Sequence, residues 1–445
     1  MIMSWSGVAD AVLDVQLITT AAAVTFWCLT VLGLAVLVAR RDRRWVAIGI
    51  PVAITGALVP TGLAAVLIER VWRPFPDPLP HAVYWWSATA VLAVALLITR
   101  WPFRRRDRPR VPVAVGLVVA AALAVAAAAG QINLIFDAYP TVRSALGIPE
   151  FRTVPLTDAQ ARTATTVRGT PLSAQWSPPP DMPSSGAVVS APIPAATSGF
   201  PAREAHIYLP PAYSTDPRPT LPVLVLLAGQ PGSTDDWLVG GRLTQTMDAF
   251  AAAHDGLAPV VVLADGTGGQ FANPLCMDSR LGNAASYLTV DVPAWVKQNL
   301  QVDPDPRAWA VGGLSYGGTC ALQLATVRPD VYPTFLDISG QAEPTLGDRG
   351  RTVQEAFGGD AAAFSRNNPA DLLAHNSYPG SAGAFVVGLD DREYRGGIER
   401  LADAARAAGM DVHLTELPGG HTFSLWSAAL EKELPWLSRR LGLTS

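Results

Sequence analysis

The chain has 445 residues, of which 49% are hydrophobic and 16% charged, and its formal net charge is −4. That length asks for two or three folded units rather than one, and the slightly acidic balance offers no sign of a nucleic-acid partner. Its three cysteines, Cys28, Cys276 and Cys320, form no Cys-x-x-Cys pair and no Cys/His ligand spacing, so no metal or cofactor is expected.

The hydrophobic excess lies at the N-terminal end, in four apolar runs: residues 17–38, 47–68, 82–99 and 111–135. Each is near the ~20 residues a helix needs to cross hydrocarbon. None contains a charged residue, and one at mid-bilayer costs roughly 2.5–3.5 kcal/mol. Pro51 and Pro60 fall in the second run, where a kink is tolerable in lipid. The N-terminal tail carries Asp10 and Asp14 rather than basic residues, and the first run is long, which predicts retained spans rather than a cleaved leader.

Arginine placement orients the spans. The loop after the first run holds Arg40, Arg41, Arg43 and Arg44. The loop after the third holds Arg100, Arg104, Arg105, Arg106, Arg108 and Arg110, against only Arg70 and Arg73 in the second and none in the N-terminal tail. By the positive-inside rule the first and third loops are cytoplasmic, so the N-terminus and everything after residue 135 lie outside the plasma membrane. The spans carry none of the ionisable groups that a transporter or channel uses, and their predicted role is a multi-pass anchor.

Residues 141–185 are rich in Pro, Ser and Ala ("SAQWSPPPDMPSSG") and read as a spacer. Residues 186–445 then form the second predicted unit. "VVSAPIP" and "REAHIYLP" begin a series of strands continued by "LPVLVLLAG", "APVVVLADG", "RAWAVGG", "YPTFLDISG", "GAFVVGL" and "DVHLTELPG". Helical stretches fall between them at 243–253, 290–300, 319–326, 398–408 and 424–441. Short apolar runs alternating with longer amphipathic ones predict an α/β domain with a mainly parallel sheet and helices on both faces. In such sheets the ligand site lies at the carboxyl ends of the strands.

One motif falls there. Gly313-Leu314-Ser315-Tyr316-Gly317 follows a predicted strand and precedes a helix, the strand–turn–helix setting that gives G-x-S-x-G its meaning. Ser315 is then a candidate nucleophile, which needs a base and an orienting acid further along the chain. Of the six histidines only His421, in "LPGGHTF", sits in a glycine-flanked turn beyond a late strand. The acid belongs after "GAFVVGL", where Asp390 and Asp391 compete; the Gly388-x-x-Asp391 spacing with Tyr394 three residues later favours Asp391. Candidate donors to a developing oxyanion are the backbone N–H groups of Tyr316 and, in the loop "QPGSTDDW", of Gln230. Cys276 and Cys320 read equally well as one disulfide in an extracytoplasmic domain or as two buried thiols.

With these residues in hand, the chain over about 186–440 resembles the esterase D and antigen 85-like esterases of the α/β-hydrolase fold. The likeness rests on "YLPPAY", "LLAGQPGSTDDW", "YLTVDVPAWV", "VGGLSYGGTCALQLA", "GLDDREY" and "GGHTFSLWSAALEKELPWL". It implies nucleophile, acid and base roles for Ser315, Asp391 and His421, and it favours the Cys276–Cys320 disulfide. One departure is Ala228, where many hydrolases carry the His of a His-Gly pair; a backbone donor there is unaffected. Four spans followed by this domain resemble the membrane-bound esterases of actinobacteria. The resemblance implies an esterase or acyltransferase acting on a lipid or cell-envelope ester, such as an aminoacyl-phospholipid or a mycolate-type ester.

Overall fold

The computed structural model describes residues 5–100 and 111–445, so Arg104, Arg105, Arg106, Arg108 and Arg110, assigned above to a cytoplasmic loop, lie outside the described residues. The chain divides into two compact units, Met1–Ile148 and Pro149–Ser445.

Among the described residues of the first unit, four helices are long and apolar enough to cross a membrane: α1 (Thr20–Val38), α2 (Trp45–Trp72), α3 (His81–Arg100) and α4 (Val111–Phe136). Small residues set how closely they pack. A Cβ on Gly33 of α1 would collide with the Ala120 carbonyl and Ala124 of α4, so this pair of helices can meet backbone to backbone. Gln131 of α4 donates to the Ala23 carbonyl (3.0 Å), tying the same pair together with a polar link. Arg100 is the last residue of α3 rather than a loop residue. Its guanidinium donates to the carbonyls of Val36 (2.8 Å), Leu37 and Ala39 (3.0 Å), which the end of α1 leaves without helical partners. Residues at the two ends of the unit also pair. Leu17 N–H donates to the Pro140 carbonyl, Val142 N–H to the Val15 carbonyl, and Arg143 bridges Asp10 and Asp14.

The second unit is built on an eight-stranded sheet. Its strands are β1 (Ala187–Ala191), β2 (Ala205–Leu209), β3 (Val223–Leu227), β4 (Val260–Leu263), β5 (Trp309–Leu314), β6 (Thr334–Ile338), β7 (Ala382–Gly388) and β8 (Asp411–Leu417). They lie in the order β8-β7-β6-β5-β3-β4-β2-β1. All neighbours are parallel except β2, which runs antiparallel to both β1 and β4. Every residue of β3 to β7 is buried. Successive side chains point to opposite faces, so both faces of the central sheet are covered. The helices that matter for the site are α5 (Leu243–Ala252), α6 (Val292–Asn299), α7 (Tyr316–Val327), α8 (Arg349–Phe357), α9 (Ala361–Ser365), α10 (Pro369–His375), α11 (Arg395–Ala407) and α12 (Phe423–Arg440).

The stretch expected to be a spacer is part of this unit. Thr153 bridges Val188, and Thr166–Val167 pairs in parallel with Arg218–Pro219. Leu172 and Ser173 N–H donate to the Gly442 and Leu443 carbonyls, and the buried Trp176 indole donates to the Asp255 carbonyl (2.8 Å). The segment is therefore a strap along the second unit. Its prolines forbid regular ladders, while scattered anchors such as Leu172 and Trp176 hold it down. The unit begins near residue 149 rather than 186.

Candidate active site

The end of β5 turns directly into α7 at Ser315, whose backbone has φ 53° and ψ −119°. A non-glycine residue in that region is strained. The glycines on either side explain how the turn closes. A Cβ on Gly313 would strike the backbone of Gly317, and one on Gly317 would strike the Leu227 and Ala228 carbonyls at the end of β3. Ser315 N–H donates to the Ile338 carbonyl of β6 (2.8 Å), and Thr319 N–H donates to the Ser315 carbonyl to start the helix (3.1 Å).

His421 follows β8 in the turn that leads into α12, where the Thr422 hydroxyl caps the helix by accepting from Leu425 N–H (3.4 Å). Its Nε2 lies 3.0 Å from Ser315 Oγ, and its Nδ1 lies 2.9 Å from Asp391 Oδ2. A carboxylate can only accept, so Nδ1–H donates to Asp391, and the neutral ring then accepts the Ser315 hydroxyl proton at Nε2. The Asp391 side chain is 2% exposed and that of His421 27%. Tyr394 stacks on the imidazole at 4.2 Å between centroids, and Trp426 meets it edge-on at 4.8 Å. These two rings hold its plane.

Asp390, the competing acid, is exposed, and its N–H donates to the Gly419 carbonyl (2.9 Å). With Leu389 N–H donating to Leu417, this pins the acid loop to the histidine loop. Both loops leave adjacent parallel strands, β7 and β8.

The loop after β3 passes beside the serine: a Cβ on Gly229 would lie 3.6 Å from Ser315 Cβ. Gln230 follows it, with its Nε2 donating to the Phe271 carbonyl (3.1 Å). Tyr316 N–H belongs to the first turn of α7, where N–H groups have no helical acceptor.

Sequence reasoning missed what braces that loop. Arg203 donates from Nε and Nη2 to Asp265 (2.9 and 2.8 Å) and from Nη1 to the Gly232 carbonyl (2.9 Å). Burial alone raises the Asp265 pKa, but the hydrogen bonds from Arg203 and from the Thr267 backbone outweigh it and hold the carboxyl below its ordinary range. Asp236 accepts from Ser233 N–H (3.1 Å) and is pushed up to about 6 by burial. The only hint in sequence was an Asp-Gly pair after a strand, "LADG".

Cys276 and Cys320 form a disulfide, with Cα atoms 5.5 Å apart, joining a loop to the first turns of α7. Cys276 N–H donates to the Tyr316 hydroxyl (3.0 Å), which donates to the Gly266 carbonyl (3.1 Å).

A second string of the same residue types exists on the far edge of the sheet. Ser190 Oγ is 2.9 Å from His206 Nδ1, and His206 Nε2 is 2.9 Å from Asp235. Ser190 sits in the middle of β1 opposite His206 of β2, with no sharp turn before it and no helix N-terminus after it. Of these two serines, Ser315 is the one that combines the acid–base string with neighbouring backbone donors.

A G-x-S-x-G turn from strand to helix at the end of β5, in this strand order, is the architecture of an α/β-hydrolase. The profile of the family described as "Putative esterase" matches residues 202–437, so the chain belongs to that family and is a serine ester hydrolase. Over 417 residues it is 39% identical to an uncharacterised protein of Corynebacterium glutamicum, covering 91% of this chain and 92% of that one. It is also 33% identical over 95 residues to an S-formylglutathione hydrolase of Paracoccus denitrificans, covering 21% of this chain and 33% of the relative. Among solved structures, a ferulic acid esterase matches with TM-score 0.49 at 17% identity, covering 57% of this chain and 99% of that one. An S-formylglutathione hydrolase from Agrobacterium tumefaciens matches with TM-score 0.48 at 19% identity, covering 57% and 94%.

Proposed function

We propose that the chain is a membrane-anchored esterase whose catalytic unit lies outside the plasma membrane and acts on lipid or cell-envelope esters through Ser315, His421 and Asp391. The observation that carries the chemistry is the imidazole of His421, within hydrogen-bond distance of both Ser315 Oγ and the buried Asp391. As Ser315 Oγ attacks the ester carbonyl, its proton passes to His421 Nε2. Asp391 stabilises the imidazolium that results. The carbonyl oxygen becomes an oxyanion held by the N–H groups of Tyr316 and Gln230. Collapse breaks the ester C–O bond, and His421 returns the proton to the leaving alkoxide. Water then attacks the acyl-serine, giving its proton to His421; carboxylic acid leaves and Ser315 is restored.

Four long apolar helices, whose charged residues Glu69, Arg70 and Arg100 lie at their ends, support the anchor. Pairing of residues 15–17 with 140–142 supports an even number of crossings, since both segments sit at one end of the bundle. The arginine count supports the outward orientation. A tethered catalyst meets lipid-borne esters at high local concentration, which favours an ester such as an aminoacyl-phospholipid over a freely diffusing one. Labelling of the full-length protein with a fluorophosphonate probe tests the chemistry. Wild type is expected to label and Ser315→Ala to stay dark; equal labelling of the two eliminates Ser315 as nucleophile.

A further inference from the structure

The loop joining α2 to α3 reads "RPFPDPLP", with proline at every second position from Pro74 to Pro80. Arg73, at φ 48°, ends α2, and the prolines keep the following backbone from folding into helix. The Glu69 carboxylate then fastens this loop to both helices, accepting from Leu79 N–H (3.1 Å) and from the Tyr84 hydroxyl (2.5 Å). The loop is thus held open, and beneath it is a cavity of about 500 Å³. That lies within the ~300–1,000 Å³ typical of small-molecule sites.

Its lining is mixed: Ala65, Val66 and Ile68 contribute apolar surface, and Arg70, Arg73 and His81 contribute basic groups. The two acids in the wall leave room for a further negative charge. Glu69 is committed to Leu79 and Tyr84, and Asp77 has interactions of its own. The side chains of Arg70 and His81, by contrast, make no hydrogen bond or ion pair with any described residue. The site also sits at the ends of two apolar helices, beside the interfacial aromatics Trp72 and Trp85, which are 57% and 68% exposed. Charge-based orientation needs no arginine at this end of the bundle, yet Arg70 in the last turn of α2 and Arg73 at its cap both lie there.

We infer that this cavity binds the phosphodiester head group of an anionic phospholipid. Arg70, with His81 beside it, meets the phosphate oxygens; a guanidinium fork matches two of them at once. Ala65, Val66 and Ile68 meet the glycerol and the first carbons of the acyl chains. A soluble phosphate would satisfy the arginine but leave that apolar wall bare, which is why the lipid is the better occupant. The inference rests on the membrane reading proposed above. It gives the anchor a chemical preference, so that the enzyme is held among anionic lipids.

Native mass spectrometry of the full-length protein in detergent, titrated with phosphatidylglycerol or phosphatidylcholine, tests this. Phosphatidylglycerol is expected to be retained about tenfold more strongly, and Arg70→Gln to remove that preference. Fluorophosphonate labelling of the variant at the wild-type rate shows that its catalytic unit is folded, and retention of phosphatidylcholine at the wild-type level shows the same of its helices. Excess inorganic phosphate is expected not to displace the lipid; displacement identifies a phosphate site and overturns the lipid assignment. Equal retention of the two lipids, or an unchanged preference in Arg70→Gln, overturns the site. Release of the protein from membranes by alkaline carbonate instead overturns the membrane reading, and this site with it.

Discussion

Asp337 of β6 is fully buried beneath the first turn of α7, where a Cβ on Gly318 or Gly340 would press on its carboxylate. Oδ1 accepts from Gly340 N–H (2.9 Å), but Oδ2 has no partner among the described residues. Burial pushes its pKa up to about 7, only partly opposed by that one hydrogen bond. The folded state therefore holds this proton where the unfolded chain, at about 3.8, has lost it. The stabilising contribution is fully present below pH ~4 and is lost as pH rises to about 7, a difference on the order of 4 kcal/mol at ~1.4 kcal/mol per pH unit. Asp337→Asn should flatten the pH dependence of denaturant unfolding between pH 5 and 8; an unchanged slope would show that Asp337 is ionised in the fold. The neighbouring carboxylates of the acid loop differ in the same concrete way. Asp391→Asn removes the charge and the acceptor-only group that fix the His421 tautomer and should lower kcat about 10⁴-fold. Asp390→Asn alters an exposed group and should leave kcat within about threefold. Steady-state rates on a soluble aryl ester distinguish the two, and the reverse ranking would move the acid to Asp390.

At the scale of elements, legibility followed burial. Strands β3 to β7 were visible as short apolar runs because the central sheet is covered on both faces, the partly exposed edge strand β8 showed as an alternating run instead, and G-x-S-x-G located the turn between β5 and α7. The start of α7 was placed three residues late, at 319 rather than Tyr316, because "YGGT" reads as a loop unless the strained Ser315 is known to launch the helix directly. Helices α8 to α10 were missed: each is under ten residues, too short to impose a period. The Arg203–Asp265 brace was invisible because its partners are 62 residues apart. The Cys276–Cys320 bridge ties together what the elements alone leave loose. It closes a loop of 44 residues and fixes the chain segment that carries the Tyr316 hydroxyl's partners. Chain entropy puts its worth at about 4 kcal/mol. The Cys276→Ser/Cys320→Ser protein should unfold at correspondingly lower denaturant, and Tyr316→Phe in that background should cost it further activity. A variant as stable as wild type would show that Gln323, whose amide donates to the Cys276 carbonyl (2.6 Å), holds the loop without the bridge.

For the whole molecule, the strap at 149–185 decides where the chain can be divided. Because Leu172, Ser173, Trp176 and Arg218 bind this segment to the C-terminal turn and to the loops beside β2 and β3, it belongs to the folding unit of the hydrolase domain. A fragment beginning at residue 186, the boundary read from sequence, would strip the Gly442 and Leu443 carbonyls of their partners and expose the surface under Trp176. A fragment beginning at 149 keeps them. The longer fragment should therefore be soluble, unfold cooperatively, and hydrolyse a short soluble ester within about threefold of the full chain. The shorter one should aggregate or melt lower. On the anchored reading, the 149–445 fragment should also lose most of its activity on an ester carried in vesicles, because tethering no longer concentrates it at the lipid surface. Parallel assays of both fragments and the full chain on the two substrates separate these effects. If the 149–445 fragment matched the full chain on vesicle-borne ester, the first 148 residues would contribute nothing to meeting the substrate.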